Sequence, residues 1–273
     1  APMFDSDEPL DITIEFPLRD LMRNAADRPT ADGVAHYTDV SGAVVSVPVK
    51  MSTRGRSRLA VCRFPPLALS VNKKAAAGTV FEGQKSLKMV THCRAHLKYR
   101  DYLLQEYGIY EAFNVLTATS FRTRLLNVTY RDTENEDFEI TEQAFFIESI
   151  REVAARNELV RKKVPRTEVG QLDPAYAMLA AMYQYMIGNT DWSVREAPDV
   201  LRRVAGEVQS AFGHQLPGHG VQVVPGGHAR AQHLQPVACR RAEHGFRHLA
   251  ASGIAGADKE NTPHVHVHVN HPS

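Results

Sequence analysis

Asp11-Ile12-Thr13-Ile14-Glu15-Phe16 sets Ile12, Ile14 and Phe16 against Thr13 and Glu15. That is the two-residue period of a strand with one face in a core. The pattern recurs outward from this stretch. Val45, Val47, Val49 and Met51 repeat it after the turn-like Asp39-Val40-Ser41-Gly42. Leu67, Leu69 and Val71 form a third strand, entered through Pro65-Pro66, and Leu87 and Met89 place Lys88 on the opposite face of a fourth. Between them runs the basic, glycine-containing loop Arg54-Gly55-Arg56-Ser57-Arg58. The period then changes. Leu103, Tyr107, Tyr110 and Asn114 follow helical spacing, Leu104 and Phe113 widen the apolar stripe, and Glu106 borders its buried face. Leu126, Val128 and Tyr130 return to strand period. A polar loop over residues 132–139 leads to Gln143-Ala144-Phe145-Phe146-Ile147-Glu148, the second arm of an antiparallel hairpin. Residues 150–159 read as a short helix and residues 162–170 as a charged linker. Asp173-Pro174 caps and opens a helix through Leu179, Met182 and Met186, and Gly188 ends it.

Composition excludes little. The chain has 273 residues, 43% of them hydrophobic and 23% charged, which is ordinary for a folded protein. A net charge of +1 gives no global electrostatic case for a nucleic-acid partner. No apolar run approaches the ~20 residues a transmembrane helix needs. The opening Ala1-Pro2-Met3 fits a mature exported protein after signal removal, or an arbitrary boundary. The three cysteines, Cys62, Cys93 and Cys239, contain no Cys-x-x-Cys. Cys62 and Cys93 either pair in an oxidising compartment or stand as two buried thiols. Near residue 194 the character breaks: 10 of 13 histidines lie beyond it but only two of 21 aromatics, Phe212 and Phe246. Residues 201–212 have the spacing of a helix. Residues 194–273 as a whole are too poor in large apolar groups to build a core and are expected to be largely irregular. A frameshifted tail in a GC-rich gene would have this composition.

Three residues are spaced for phosphoryl transfer. A strand lysine (Lys88), a glutamate on the following helix (Glu106) and a later aspartate after a helix end (Asp191) occur in the order seen in kinase-like phosphotransferases. The lysine holds phosphates, the glutamate orients the lysine, and the aspartate positions or deprotonates the acceptor hydroxyl. The plainer reading is a set of structural ion pairs.

Arg54-Gly55-Arg56-Ser57, Phe64-Pro65-Pro66-Leu67-Ala68-Leu69 and Leu87-Lys88-Met89-Val90, in that order, resemble the N-terminal lobe of the spore coat protein H (CotH) kinases. Tyr102-Leu103-Leu104-Gln105-Glu106-Tyr107 resembles the helix that follows there, and Ala144-Phe145-Phe146-Ile147-Glu148 the segment linking the lobes. Met186-Ile187-Gly188-Asn189-Thr190-Asp191 is similar to the catalytic elbow. The likeness covers about residues 10–193. It implies an α+β, two-lobed, protein-kinase-like domain over residues 1–193. Its β-rich N-terminal lobe would run over about 10–148, and a helical, incomplete C-terminal lobe would start at 149–193. It implies ATP and magnesium, an unknown protein acceptor, and an exported location, periplasmic or extracellular. Lys88 would contact phosphates and pair with Glu106, Arg54 and Ser57 would lie near the phosphates, Glu148 near the nucleotide base, and Asp191 would be the catalytic aspartate.

The resemblance also implies an asparagine and a second aspartate after Asp191 to hold the metal. The position five after Asp191 is Glu196, and the later aspartates are Asp199 and Asp258. An inactive kinase, or a non-catalytic exported binding or surface protein on a kinase-like scaffold, is therefore the alternative. His264, His266 and His268, with His271 nearby, have the alternation of metal-binding imidazoles on one strand face, or of a histidine-rich tail that takes up metal adventitiously. Residues 78–86 nearly match a phosphate-binding loop, but Gln84 stands where the lysine is required and a strand follows instead of a helix. No hydrolase triad is found, and His36 and His92 read as ordinary strand or loop residues.

Overall fold

The alternation read from residues 11–16 carries around a closed ring. In the computed structural model, which describes residues 2–55, 57–163, 172–189, 199–203 and 209–211, all within the unit Ala1–Gln222, seven strands form a barrel. They are β1 (Leu10–Phe16), β2 (Thr30–Thr38), β3 (Val44–Thr53), β4 (Leu67–Val71), β5 (Ser86–Val90), β6 (Thr123–Asp132) and β7 (Glu139–Ile147). The order around the barrel is β1-β2-β3-β4-β5-β7-β6 and back to β1. Strands alternating in direction around a ring cannot close an odd number without one parallel neighbour pair. That seam is β1 against β6, in register from Leu10↔Leu126 to Phe16↔Asp132; the other six pairs are antiparallel.

Inward positions interlock as an apolar core. Ile12, Ile14, Phe16, Val47, Met51, Leu67, Leu69, Leu87, Met89, Leu126, Val128, Tyr130 and Phe146 are all buried there. Tyr130 Oη donates to Met89 Sδ at 3.4 Å. Gly33 lets β2 approach β1 closely: a Cβ there would lie 2.5 Å from the Glu15 carbonyl oxygen and 2.9 Å from Phe16 Cβ.

Helices α1 (Leu18–Arg23), α2 (Ser57–Val61) and α3 (Lys73–Ala76) are short links between strands. Helix α4 (Leu97–Leu116) is different. β5 and β6 run the same way with β7 between them, so the chain must cross the sheet to join them, and α4 is that crossover. It packs on the outside of β6 and β7. Its Leu103 and Phe113 join Val90, Phe145, Ile147 and Tyr183 in a second apolar cluster. Then come α5 (Ile150–Arg156), β8 (Leu159–Lys163) and α6 (Pro174–Met186). Ser149 and Glu152 form a capping box on α5, and the Asp173 side chain accepts from the Tyr176 N–H to cap α6. Gly188, at φ +68, ends the turn after α6 in the left-handed region. No described helix is long and apolar enough to cross a membrane.

This architecture corrects the two-lobed, kinase-like expectation: a closed seven-stranded barrel stands in place of the β-rich N-terminal lobe, and no helical C-terminal lobe is seen among the described residues. Two features escaped the sequence reading. β2 carries Ala31, Gly33 and Ala35 where a strand signal needs large apolar groups. The closing seam joins residues 116 apart, with nothing local to announce it. Residues 201–212 also differ from expectation. β9 (Asp199–Arg203) and β10 (Gln209–Ala211) are strands, in a sheet ordered β10-β9-β8. Leu201, fully buried in the outer cluster, lies opposite Arg161 of β8, so a strand edge already in place overrides helical spacing.

Candidate functional site: cations beneath the crossover helix

The outer face of the barrel under α4 gathers Lys88, Arg54 and Glu106. Lys88 lies in a row running Ser52, Ala68, Lys88, Ile147 across β3, β4, β5 and β7. Its strand neighbours Leu87 and Met89 point into the barrel, while Val90 and Ile147 belong to the outer cluster. Lys88 is therefore on the α4 side of the sheet, half-buried. The next row brings Arg54 beside it: Arg54 N–H donates to the Pro66 carbonyl at 2.9 Å, extending the β3–β4 ladder by one residue. Arg54 and Lys88 are thus two strands and two residues apart, roughly 10–12 Å between backbones, a gap two long side chains can close.

Glu106 comes down onto this corner from α4 and is buried. The cation that meets it is Arg58, whose Nη2 donates to Glu106 Oε2 at 2.5 Å. The resemblance puts Lys88 beside Glu106, and the structure adds an arginine from α2. One turn on from Glu106, Tyr110 packs its ring 6.0 Å from that of Phe145. The group is electrostatically coupled. Burial pulls the Arg54 guanidinium below its ordinary value, Tyr110 opposes that shift, Arg58 reinforces it and Glu106 opposes it. Burial, then Glu106, pushes the Tyr110 phenol upward. Two arginines and one carboxylate leave one positive charge in partly desolvated surroundings, before Lys88 is counted. Gly55, at φ +96, allows the sharp turn between β3 and α2, and Arg28 Nη2 holds that turn by donating to the Gly55 carbonyl at 2.7 Å. Ser57 opens α2.

Glu148 is fully buried and committed elsewhere. Its carboxylate accepts from the Arg122 N–H at 3.0 Å, from the Arg122 guanidinium, and from Arg156 Nε at 3.0 Å and Nη2. Its own N–H donates to the Arg122 carbonyl at 2.9 Å. Arg156 also reaches the carbonyls of Ala118 and Ser120. Glu148 ties the loop before β6 to α5, and neither its amide nor its carboxylate is left for a nucleotide base.

The rejected phosphate-loop match is structural as well: Gln84 is buried and donates to Glu152 Oε1 at 2.5 Å, and β5 follows. Cys62 and Cys93 form a disulfide. Asp191, Glu196, Asp258 and the histidines at 264, 266, 268 and 271 lie outside the described residues; Asp199 opens β9. Among the described residues no three His, Cys, Asp or Glu side chains converge to hold a metal ion.

What the sequence missed here is Arg58. Its signal was present in the loop basic at residues 54, 56 and 58, but the loop gave no direction to each side chain until α2 turned Arg58 toward α4. No protein-family model, curated protein or solved structure matches this chain.

Proposed function

We propose that the chain binds ATP at the cations beneath α4 and transfers its γ-phosphoryl group to a protein hydroxyl. The observation that supports this most is that half-buried Arg54 and the Arg58–Glu106 pair stand at one corner of the sheet face that carries Lys88. Phosphoryl transfer spreads negative charge over oxygens, and fixed cations with little water around them stabilise that charge most. In this reading Arg54 and Lys88 hold phosphate oxygens. Glu106 fixes Arg58 and keeps the corner from carrying an excess of positive charge when empty. Asp191, from the resemblance alone, takes the proton of the acceptor hydroxyl. The reading does not depend on a kinase-like fold.

A second reading has its own support. Glu196 stands where the resemblance implies an asparagine, and the Cys62–Cys93 disulfide suits an exported protein. An exported, non-catalytic protein that binds a phosphate-bearing ligand at the same cations meets both facts. Thermal unfolding with ATP, with and without magnesium, paired with transfer of labelled γ-phosphate to a protein acceptor, separates the two. The phosphotransferase reading expects stabilisation by ATP that is lost in Arg54→Ala and Lys88→Ala, and transfer that is lost in Asp191→Ala with binding retained. Binding without transfer in the parent chain selects the second reading. No stabilisation at millimolar ATP removes both.

A further inference from the structure

We infer that the Cys62–Cys93 disulfide is a redox latch on the anion site. This rests on the proposal that the cations beneath α4 bind phosphate. The bond joins two segments outside the barrel ladder. Cys62 directly follows α2, which carries Arg58, and Cys93 follows β5, which carries Lys88 five residues earlier.

Helix α2 has five residues, far too few to be stable alone. Its position therefore depends on tethers. Besides the disulfide these are the Arg58–Glu106 pair, Arg94 Nη2 donating to the Val61 carbonyl at 3.0 Å, and the Arg28 contact to Gly55. Cys93 sits at φ +60, a left-handed backbone that a side-chain-bearing residue rarely adopts. Its carbonyl is pinned by the Phe64 N–H at 3.0 Å. Cutting the bond frees Cys93 to relax and removes the covalent tether of α2. The barrel closes through backbone ladders that include neither cysteine. Both cysteines are only half-buried, so a reductant reaches them.

The step is a thiol–disulfide exchange. A dithiol attacks one sulfur, the Cys62–Cys93 bond breaks, the dithiol leaves as its own disulfide, and its two protons end on the two cysteine thiols. With Arg58 released, Glu106 faces Arg54 unneutralised. The summed charge of Arg54, Arg58 and Glu106 falls from +1 to 0, and the site's hold on phosphate weakens.

The test compares the oxidised and the dithiol-reduced chain by hydrogen exchange and by ATP titration. Expected are faster exchange over residues 57–61, unchanged protection in β1 and β6, and about tenfold weaker ATP binding on reduction, the size of one lost charge-assisted contact. Equal exchange over residues 57–61 in the two forms overturns the latch, whether or not ATP binds at all. ATP binding absent from both forms, with α2 released, fails the phosphate reading and leaves the mechanical latch standing. Glu106→Gln cuts the ion pair with the disulfide intact. It should bind ATP differently from the parent and respond little to further reduction. A tenfold loss on reduction in Glu106→Gln as well shows that the effect does not pass through Arg58, and overturns the proposal. If reduction unfolds the barrel, Cys62→Ser/Cys93→Ser refolded without reductant gives the same comparison.

Discussion

The inside of the barrel and its outer face under α4 are both well buried, yet they are built differently. The inner core is mostly apolar side chain on apolar side chain, with Tyr130 Oη on Met89 Sδ and Tyr37 Oη accepting from the Val80 N–H among its few polar contacts. The outer core interleaves its aromatics with charge: Arg58–Glu106 at one end and Arg122–Glu148–Arg156 at the other. The inner core can fail only by volume. The outer one fails by leaving a charge unpaired, which makes it the costlier place to alter and the one able to hold an ionic ligand.

Glu148→Ala breaks that contrast hardest. It strands two guanidinium groups around an empty buried site and is expected to lower unfolding free energy by about 3–5 kcal/mol. A urea titration that shows less than about 1 kcal/mol would mean the outer core does not rest on this network. Phe146→Ala is its inner counterpart, with a cavity cost of about 3–5 kcal/mol. The two differ in their response to salt: the Glu148→Ala loss should shift with ionic strength and the Phe146→Ala loss should not. Gly33→Ala comes next, at about 1–3 kcal/mol, because the new methyl would press on the β1 backbone at Glu15.

A pH experiment sharpens the comparison at the barrel's rim. His92 is buried beside Phe64, ring centroids 4.6 Å apart, with Nδ1 unpartnered among the described residues. Burial pulls its folded value below the ordinary 6.5, Glu142 opposes this and Arg100 adds to it. The unfolded chain therefore binds more protons than the native one below about pH 6.5. Stability is retained above that point and falls as pH drops toward the folded value. His92→Gln should flatten this acid-side loss in denaturation measured from pH 7 to pH 5, and an unchanged slope would assign the loss to another group. The smallest effect belongs to the exposed Lys50–Asp32 pair, 2.9 Å apart on neighbouring strands. Lys50→Ala should change stability by about 0–1 kcal/mol.

The parts of this molecule legible in the sequence are those where one element announces itself locally. The alternations at residues 12–16, 45–51 and 126–130 became β1, β3 and β6, the helical stripe through Leu103 and Tyr110 became α4, and Asp173-Pro174 opened α6. What stayed hidden is non-local. β2 lacks the large apolar residues that mark a strand. The β1–β6 seam joins distant segments. β9 forms because β8 offers an edge. At the site, Lys88 on the outer sheet face and Glu106 on the buried side of α4 followed from periodicity. Arg58 as the partner of Glu106 depended on a five-residue helix whose direction no pattern encodes. The resemblance puts Glu148 near a nucleotide base, and no local pattern shows its actual partners. The two arginines that claim its carboxylate lie 26 positions before it and eight after.

The parallel seam also sets a timetable. β1 is the first barrel strand to leave the ribosome, but its second neighbour is complete only at Asp132. At roughly 5–20 residues per second the emerging edge of β1 waits several seconds for its partner. Contacts so far apart in sequence make folding slow. Throughout that interval β1 shows one open edge and an apolar face to whatever else is nearby.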